Sequence, residues 1–357
     1  LPLRQIAARA IVSAVADAAE RWTDADFPPR VRATAAIEAR LGYSMPVVDY
    51  ALDRLFGGIT AAALDAAVAS ELGSVAALDA FVAHAGRPAG WARGVDRVSI
   101  VVSDATIGVA IAPLVYALCA KSRVVVHDRG DALIAAFAHT LGEALPALRD
   151  AVDVQTWTGD DAAVRGADVV VAFGGAETLR AIRAACDAGA AFVPFGHAAS
   201  AAYVDHASLA GDLGALTAAI ARDALLHAIG GGGAFDLIFL ERCDEAGRER
   251  FVRALAEACE AGAIEFPPGT REHAADPGTV VVVGGIPDAA AYVARHELAL
   301  RAVGVPPGFG DDAAEDLAAQ LGALRVATLG DLATPPLGGH FGGRARIADF
   351  VRWVDRE

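Results

Sequence analysis

Apolar positions recur at helical spacing through the first part of the chain. Ile6, Ile11, Val12, Val15 and Ala18 fall on one face, with charges on the other. Pro28-Pro29 breaks the pattern, which resumes over residues 31–41 and 47–55, and Gly57-Gly58 breaks it again before residues 61–72. Residues 1–90 therefore read as a helical N-terminal region, a cap or an oligomerisation arm, with nothing that points to chemistry.

From residue 97 the period changes. RVSIVVS (97–103) is a short β-branched run, followed by a helical stretch at 109–119, a strand at 123–126 and a helix at 132–141. Further strands are expected at 153–157, 168–173 (DVVVAF) and 191–194, with Gly174-Gly175 and a helix at 180–188 between the last two. Strands alternating with helices argue for βαβ crossovers and a doubly wound parallel sheet. A second, smaller α/β lobe reads from a helix at 217–226, the glycines 230–233, a strand at 237–241 (LIFLE), a helix at 245–261 and a strand at 279–283 (TVVVV). Residues 321–336 return to a strand–turn pattern, and a terminal helix is expected at 347–355. The expected fold class is α/β. A dinucleotide-binding domain spans 91–222 plus about 325–357, and a catalytic-type α/β domain spans 223–324.

A chain of 357 residues can bury a core without staples. Its 30 basic and 45 acidic side chains leave a net charge of −15, which argues against nucleic acid, whose phosphates need Lys and Arg. Cys119, Cys186, Cys243 and Cys259 are scattered, with no CxxC and no Cys/His cluster, so no metal is expected. They read as apolar thiols of a reducing, cytoplasmic compartment. No uncharged apolar run reaches the roughly 18 residues of a membrane span. The apolar run at 6–19 is interrupted by Arg9 and Asp17 and has no cleavage site after it. The missing initiator Met suggests a trimmed start.

Ligands of open parallel sheets bind beyond the carboxyl ends of the strands. Gly174-Gly175 lies at such an end, with Glu177 and Thr178 opening the next helix. It is either a phosphate cradle, with free helix N–H groups aimed at the ligand, or a plain strand-to-helix turn. The four glycines 230–233 are either a close-approach site or a flexible loop, and they contain no nucleophile. His197 follows Phe195-Gly196 near a sheet end, as a structural histidine or a site residue. His127 and Asp128 follow the second strand, where they could touch a ribose or form a solvated turn. His340 stands in GGHFGGR beside Arg344, close to a potential cleft. No GxSxG, P-loop, HExxH or EF-hand pattern is present.

Three segments together carry a family resemblance. They are SIVVSDATIGVAIAPLVYALCAKSRVVVHD, ADVVVAFGGAETLRAIRAACDAGAAFVPFGHAAS and LRVATLGDLATPPLGGHFGGRARIADFVRWVD. In this order, between residues 97 and 357, they resemble the bacterial acyl-CoA reductases of the luciferase-linked fatty-acid reductase type, in the aldehyde dehydrogenase superfamily. The resemblance implies an aldehyde-dehydrogenase-like fold, NADPH in the first lobe, and hydride transfer to an acyl-CoA or acyl-carrier thioester to give an aldehyde. It also implies a homo-oligomer and an acyl-activating partner enzyme. Gly174 and Gly175 match the pyrophosphate-facing turn, and Gly196, His197 and Ser200 the segment after it.

The departures are specific. The stretch 223–241 aligns without gaps to the family segment bearing the nucleophilic cysteine, and Gly232 stands at that position. Cys243 lies beyond the next strand and would need a different loop geometry to serve. The superfamily's asparagine after the first strand falls near Ala105 or Thr106, its ribose-contacting lysine on His127, and its general-base glutamate near Pro194. Three readings follow: a thioester reductase that works without the covalent step or with another nucleophile, a pseudoenzyme or scaffold subunit, and a diverged aldehyde- or ketone-handling oxidoreductase.

Overall fold

The computed structural model describes residues 2–43, 45–84, 86–102, 107–128, 132–157, 163–196, 198–229, 236–261, 278–333 and 335–357. Of the positions named above, Ala105, Thr106, His197 and the glycines 230–233, Gly232 included, lie outside the described residues. Two compact units emerge: Leu1–Gly196 with Pro336–Glu357, and His197–Pro335. The sequence reading set its breaks near 222 and 325; the compact units break at 196/197 and 335/336.

The first unit opens with four helices, α1 (Ala8–Arg21), α2 (Pro28–Leu41), α3 (Met45–Gly57) and α4 (Ala61–Leu72). Pro28 starts α2, where its missing N–H costs nothing, and Gly42 at φ 78° ends it. Thr60 caps α4 by accepting the Ala63 amide, and Gly73 at φ 78° closes it. Trp22, after α1, stacks on Phe56 at 5.0 Å and donates its indole N–H to Thr140 at 3.1 Å. This buried contact seats the helices on α6. The helical pattern does not continue to residue 90. Strands β1 (Val82–His84) and β2 (Arg87–Gly94) occupy that stretch.

The main sheet of this unit holds β3 (Arg97–Val101), β4 (Arg123–Asp128), β5 (Val152–Thr156), β6 (Val169–Phe173) and β7 (Ala191–Phe195). Helices α5 (Ile111–Cys119), α6 (Ala132–Ala144), α7 (Pro146–Arg149) and α8 (Ala176–Ala185) are interspersed. All neighbours are parallel, in the order β5-β4-β3-β6-β7. Every residue of β6 is buried, which explains its uninterrupted VVVAF run. The strand order reverses direction between β3 and β6, so the switch point of the sheet lies at the carboxyl ends of these two strands.

The second unit is also doubly wound. Its strands are β8 (Ala199–Val204), β9 (Leu237–Glu241), β10 (Thr279–Val283), β11 (Leu300–Val305) and β12 (Val326–Thr328), in the parallel order β10-β9-β8-β11-β12. Its helices are α9 (His206–Leu209), α10 (Leu213–Ile229), α11 (Glu245–Ala261), α12 (Ile286–Arg295) and α13 (Asp311–Leu321). Alternate strand residues feed opposite cores. Ala202, Val204, Ile238 and Leu240 pack with α10 and α11, while Ala201, Tyr203, Leu237 and Phe239 pack with α12 and α13.

The expected terminal helix is overturned. Residues Ala348–Phe350 make one 3-10 turn and Val351–Arg356 form β13, which pairs antiparallel with β2 in a three-stranded sheet. VRWVDR is rich in residues that suit a pleated surface, and β2 offers it a complete ladder. Among the described residues no single helix is long and apolar enough to cross a membrane.

Candidate functional site

The carboxyl end of the first unit's parallel sheet gathers the residues singled out there from sequence. β6 delivers Phe173 into Gly174-Gly175, and Gly175 is the N-cap of α8, with no side chain capping the first turn. The Gly174 amide donates to the Phe195 carbonyl at 3.2 Å, tying this turn to the end of β7. Among the described residues, a Cβ on Gly175 would meet nothing within 4 Å, so no contact with them demands glycine there. A Cβ on Gly174 would sit 3.3 Å from the Thr178 methyl. Glu177 and Thr178 are exposed in the first turn of α8, where the helix dipole favours the Glu177 carboxylate.

His127 stands at the end of β4, with β3 between it and β6, and the solvated-turn alternative for it fails. β4 runs through Asp128, and His127 and Asp128 are only 2 % and 6 % exposed. His127 is hydrogen-bonded to the Ala163 carbonyl, and its ring lies 6.0 Å from Trp157. Burial pushes its pKa below the usual range and Arg97 adds to that, while the Ala163 bond and Asp153 oppose it. The ring is therefore neutral at pH 7, and its Nε2 is buried and, among the described residues, without a hydrogen-bond partner. Trp157 and Ala163 were missed in the sequence; Trp157 directly follows β5 and could have been placed at this sheet end.

An aromatic series borders the turn. Phe173 stacks on Phe195 at 4.9 Å, and Phe195 meets Phe341 at 4.9 Å. Phe341 belongs to GGHFGGR, so that motif does reach this end of the sheet. His340 is exposed, and Arg344 pairs with Asp349 at 3.2 Å. Pro194, at the general-base position, lies within β7.

The remaining carry-overs belong to the second unit. Ser200 is 5 % exposed in β8, and its amide donates to Asp236 at 2.9 Å, a structural tie. Cys243 is not an activated thiol: burial raises its pKa, Asp244 adds to this, and Arg250 and Arg248 only oppose it. Burial also raises Cys186, and pushes Cys119 up to about 12. Among the described residues, no group of three or more His, Cys, Asp or Glu could hold a metal ion.

These residues fit a dinucleotide on two counts. Among the described residues, open space faces the Gly175 Cα, and the buried Nε2 of His127 lacks a partner at the end of β4, which β3 separates from β6. The profile of the acyl-CoA reductase (LuxC) family matches residues 3–276. The chain belongs to that family. Solved structures place this LuxC-family chain in the aldehyde dehydrogenase fold. It is similar to an NAD-dependent benzaldehyde dehydrogenase from Corynebacterium glutamicum, with 14 % identity, a TM-score of 0.68, and 99 % of this chain and 87 % of that one covered. An acetylating aldehyde dehydrogenase from Geobacillus thermoglucosidasius gives 14 % identity, a TM-score of 0.68, and coverage of 99 % and 93 %. Glyceraldehyde-3-phosphate dehydrogenase GapN from Methanocaldococcus jannaschii, complexed with NADP, gives 9 %, 0.66, and coverage of 99 % and 90 %. No curated protein matches the LuxC-family chain by sequence.

Proposed function

We propose that this oxidoreductase reduces an acyl thioester of coenzyme A or of a carrier protein to the aldehyde, with NADPH as donor. The observation that carries the reading is the vacant approach to Gly175 at the switch point, within a chain of the acyl-CoA reductase family. Bound there, the nicotinamide nucleotide supplies the hydride, so that thioester, reduced nucleotide and a proton become aldehyde, free thiol and oxidised nucleotide.

The chain's own part is binding and orientation. Gly174 and Gly175 let backbone approach a diphosphate, and the first turn of α8 turns its N–H groups toward it. Neutral His127 offers Nε2 to a ribose hydroxyl. The family resemblance assigns Thr106 to the position of an asparagine, and His197 and Gly232 to the segments that handle the thioester. With glycine at position 232 and no activated thiol at Cys119, Cys186 or Cys243, reduction proceeds on the bound thioester without an acyl-enzyme. The reading includes a cytoplasmic homo-oligomer supplied by an acyl-activating enzyme.

The same glycine favours a second reading, a pseudoenzyme that keeps the fold and nucleotide binding and serves as a scaffold in an acyl-reducing complex. One assay separates the two. Purified protein is mixed with NADPH, or NADH in parallel, and a series of acyl-CoA thioesters, and nucleotide loss is followed beside aldehyde and thiol release. Aldehyde formed in step with NADPH loss, and insensitive to thiol alkylation, supports direct reduction. Nucleotide binding without turnover, with activity appearing only in Gly232→Cys, supports the pseudoenzyme. Silence of both proteins without nucleotide binding overturns both readings.

A further inference from the structure

Segment 336–346, PLGGHFGGRAR, carries two arginines with opposite surroundings. Arg344 is exposed and paired with Asp349. Arg346 is 8 % exposed, with its guanidinium carbon 5.6 Å from the Tyr116 ring centre and 5.5 Å from that of Phe341. Its Nη1 donates to the Tyr116 hydroxyl at 2.8 Å, and that hydroxyl donates to the Leu337 carbonyl at 2.9 Å. Nε and Nη2 are both buried and, among the described residues, both without a hydrogen-bond partner.

Those two nitrogens form one edge of the guanidinium. Their N–H bonds run parallel and match the two oxygens of a carboxylate or a phosphate. The edge cannot be relieved by losing a proton, because a guanidinium stays charged at every accessible pH. Glu71 faces the same segment, yet its oxygens accept the backbone amides of Arg346, Ile347 and Ala348. A buried charged group left in this state is costly, and an anion of the matching shape would satisfy the edge.

We propose that Arg346 anchors an oxyanion site, taking the carboxylate or phosphate group of a ligand on its Nε–Nη2 edge between Tyr116 and Phe341. Access runs through the glycine-rich segment itself. Gly342 and Gly343 hold φ of 58° and 72°, and a Cβ on Gly338 or Gly342 would meet nothing within 4 Å. Opening this turn, which the Phe341–Arg344 backbone pair closes at 3.0 and 3.2 Å, would carry Phe341 off the guanidinium. The inference is independent of the reductase reading.

The test uses the full chain, with inorganic phosphate and acetate titrated separately at constant ionic strength. The arginine Nε resonances are followed in a proton–nitrogen NMR spectrum, and the Tm is read in parallel. One slowly exchanging resonance, assigned by its loss in Arg346→Lys, should move downfield and saturate. Arg346→Lys should weaken the anion's effect on Tm by about tenfold or more, since it keeps the charge and loses the paired edge. Arg344→Gln should leave it unchanged. Response to phosphate alone identifies a phosphate ester as ligand, to acetate alone a carboxylate, and to both a site that accepts either. Should Arg346→Lys fail to fold, Tyr116→Phe removes the Nη1 partner, together with the bond to the Leu337 carbonyl, leaves the Nε–Nη2 edge in place and assigns the resonance by its shift. An unmoved resonance, or equal Tm effects in wild type and Arg346→Lys, overturns the proposal and assigns the edge to a buried water.

Discussion

The Glu71 carboxylate accepts the Ile347 amide at 2.8 Å although 276 positions separate the two residues. The same oxygen accepts the Ala348 amide at 2.8 Å, and the other accepts that of Arg346 at 2.7 Å. A single side chain at the end of α4 thus holds the backbone that leads into β13. It joins the first helices to the last strand, and no local pattern in the sequence announces the connection.

Removing that carboxylate should cost accordingly. Glu71→Ala leaves three partly buried amides without their acceptor, a loss of about 2–4 kcal/mol. Glu71→Gln keeps one acceptor oxygen and should cost roughly half as much. Urea unfolding measures both. A Glu71→Ala change within about 0.5 kcal/mol of wild type would show that water replaces the carboxylate.

Gly94 tests the packing of β2 against the end of α5. A Cβ there would lie 1.9 Å from the Ala120 carbonyl oxygen and 3.0 Å from its carbon, both backbone atoms that cannot swing aside. Gly94→Ala should therefore lose more than about 3 kcal/mol or yield no folded protein. Gly57, the last residue of α3, has nothing within 4 Å of such a Cβ. Gly57→Ala should be neutral or stabilising by up to about 1 kcal/mol. Equal behaviour of the two variants in thermal unfolding would refute this account of the β2 contact.

Asp223 makes the second unit sensitive to pH. It is wholly buried on α10, accepting the Gly330 amide at 2.6 Å and the Ala333 amide at 3.3 Å. Burial pushes its pKa up to about 6 from an ordinary 3.8, against the pull of these amides, that of Leu332, and Arg222. The folded chain holds this proton more tightly than the unfolded one. Its contribution to stability is full below about pH 3.8 and lost as pH rises through about 6, a span worth about 3 kcal/mol. Asp223→Asn cannot titrate, so the stability of wild type relative to this variant should fall as pH rises from 4 to 7. A pH-independent difference would mean that the amides dominate over burial.

Legibility in the sequence followed how local the determinants were. LIFLE, TVVVV and the helix at 245–261 coincide with β9, β10 and α11, because each is a strong pattern bounded by turn residues. β8 (ASAAYV), β11 (LRAVGV) and the flanking helices α12 and α13 escaped notice. In an alanine-rich chain small residues blur the difference between the two periods. VRWVDR read as a helix because its partner strand β2 lies far back in the chain. Gly174-Gly175 was legible as a strand-to-helix turn from its place after a buried strand. The burial of His127 was not, since a strand end and a solvated turn read alike. The burial of Arg346 was not legible either, because Tyr116, its partner, stands 230 positions away.

Gly175 offers the sharpest test of the nucleotide site, because structure and function make different demands on it. Its φ of −69° and ψ of 164° suit any residue, and an added Cβ meets nothing within 4 Å. Gly175→Ala should therefore leave stability within about 0.5 kcal/mol of wild type. Any effect on nucleotide affinity then comes from what enters the open space, and a diphosphate lying against the turn leaves no room for a methyl group. The Kd for NADPH, followed by nucleotide fluorescence, should rise about tenfold or more, equivalent to about 1.4 kcal/mol, with the Tm of the free protein unchanged. Gly174→Ala is the weaker probe, because its Cβ would already press on the Thr178 methyl at 3.3 Å and mix strain with binding. If Gly175→Ala binds NADPH as tightly as wild type, the turn is only a strand-to-helix connection, and the nucleotide must be held without it.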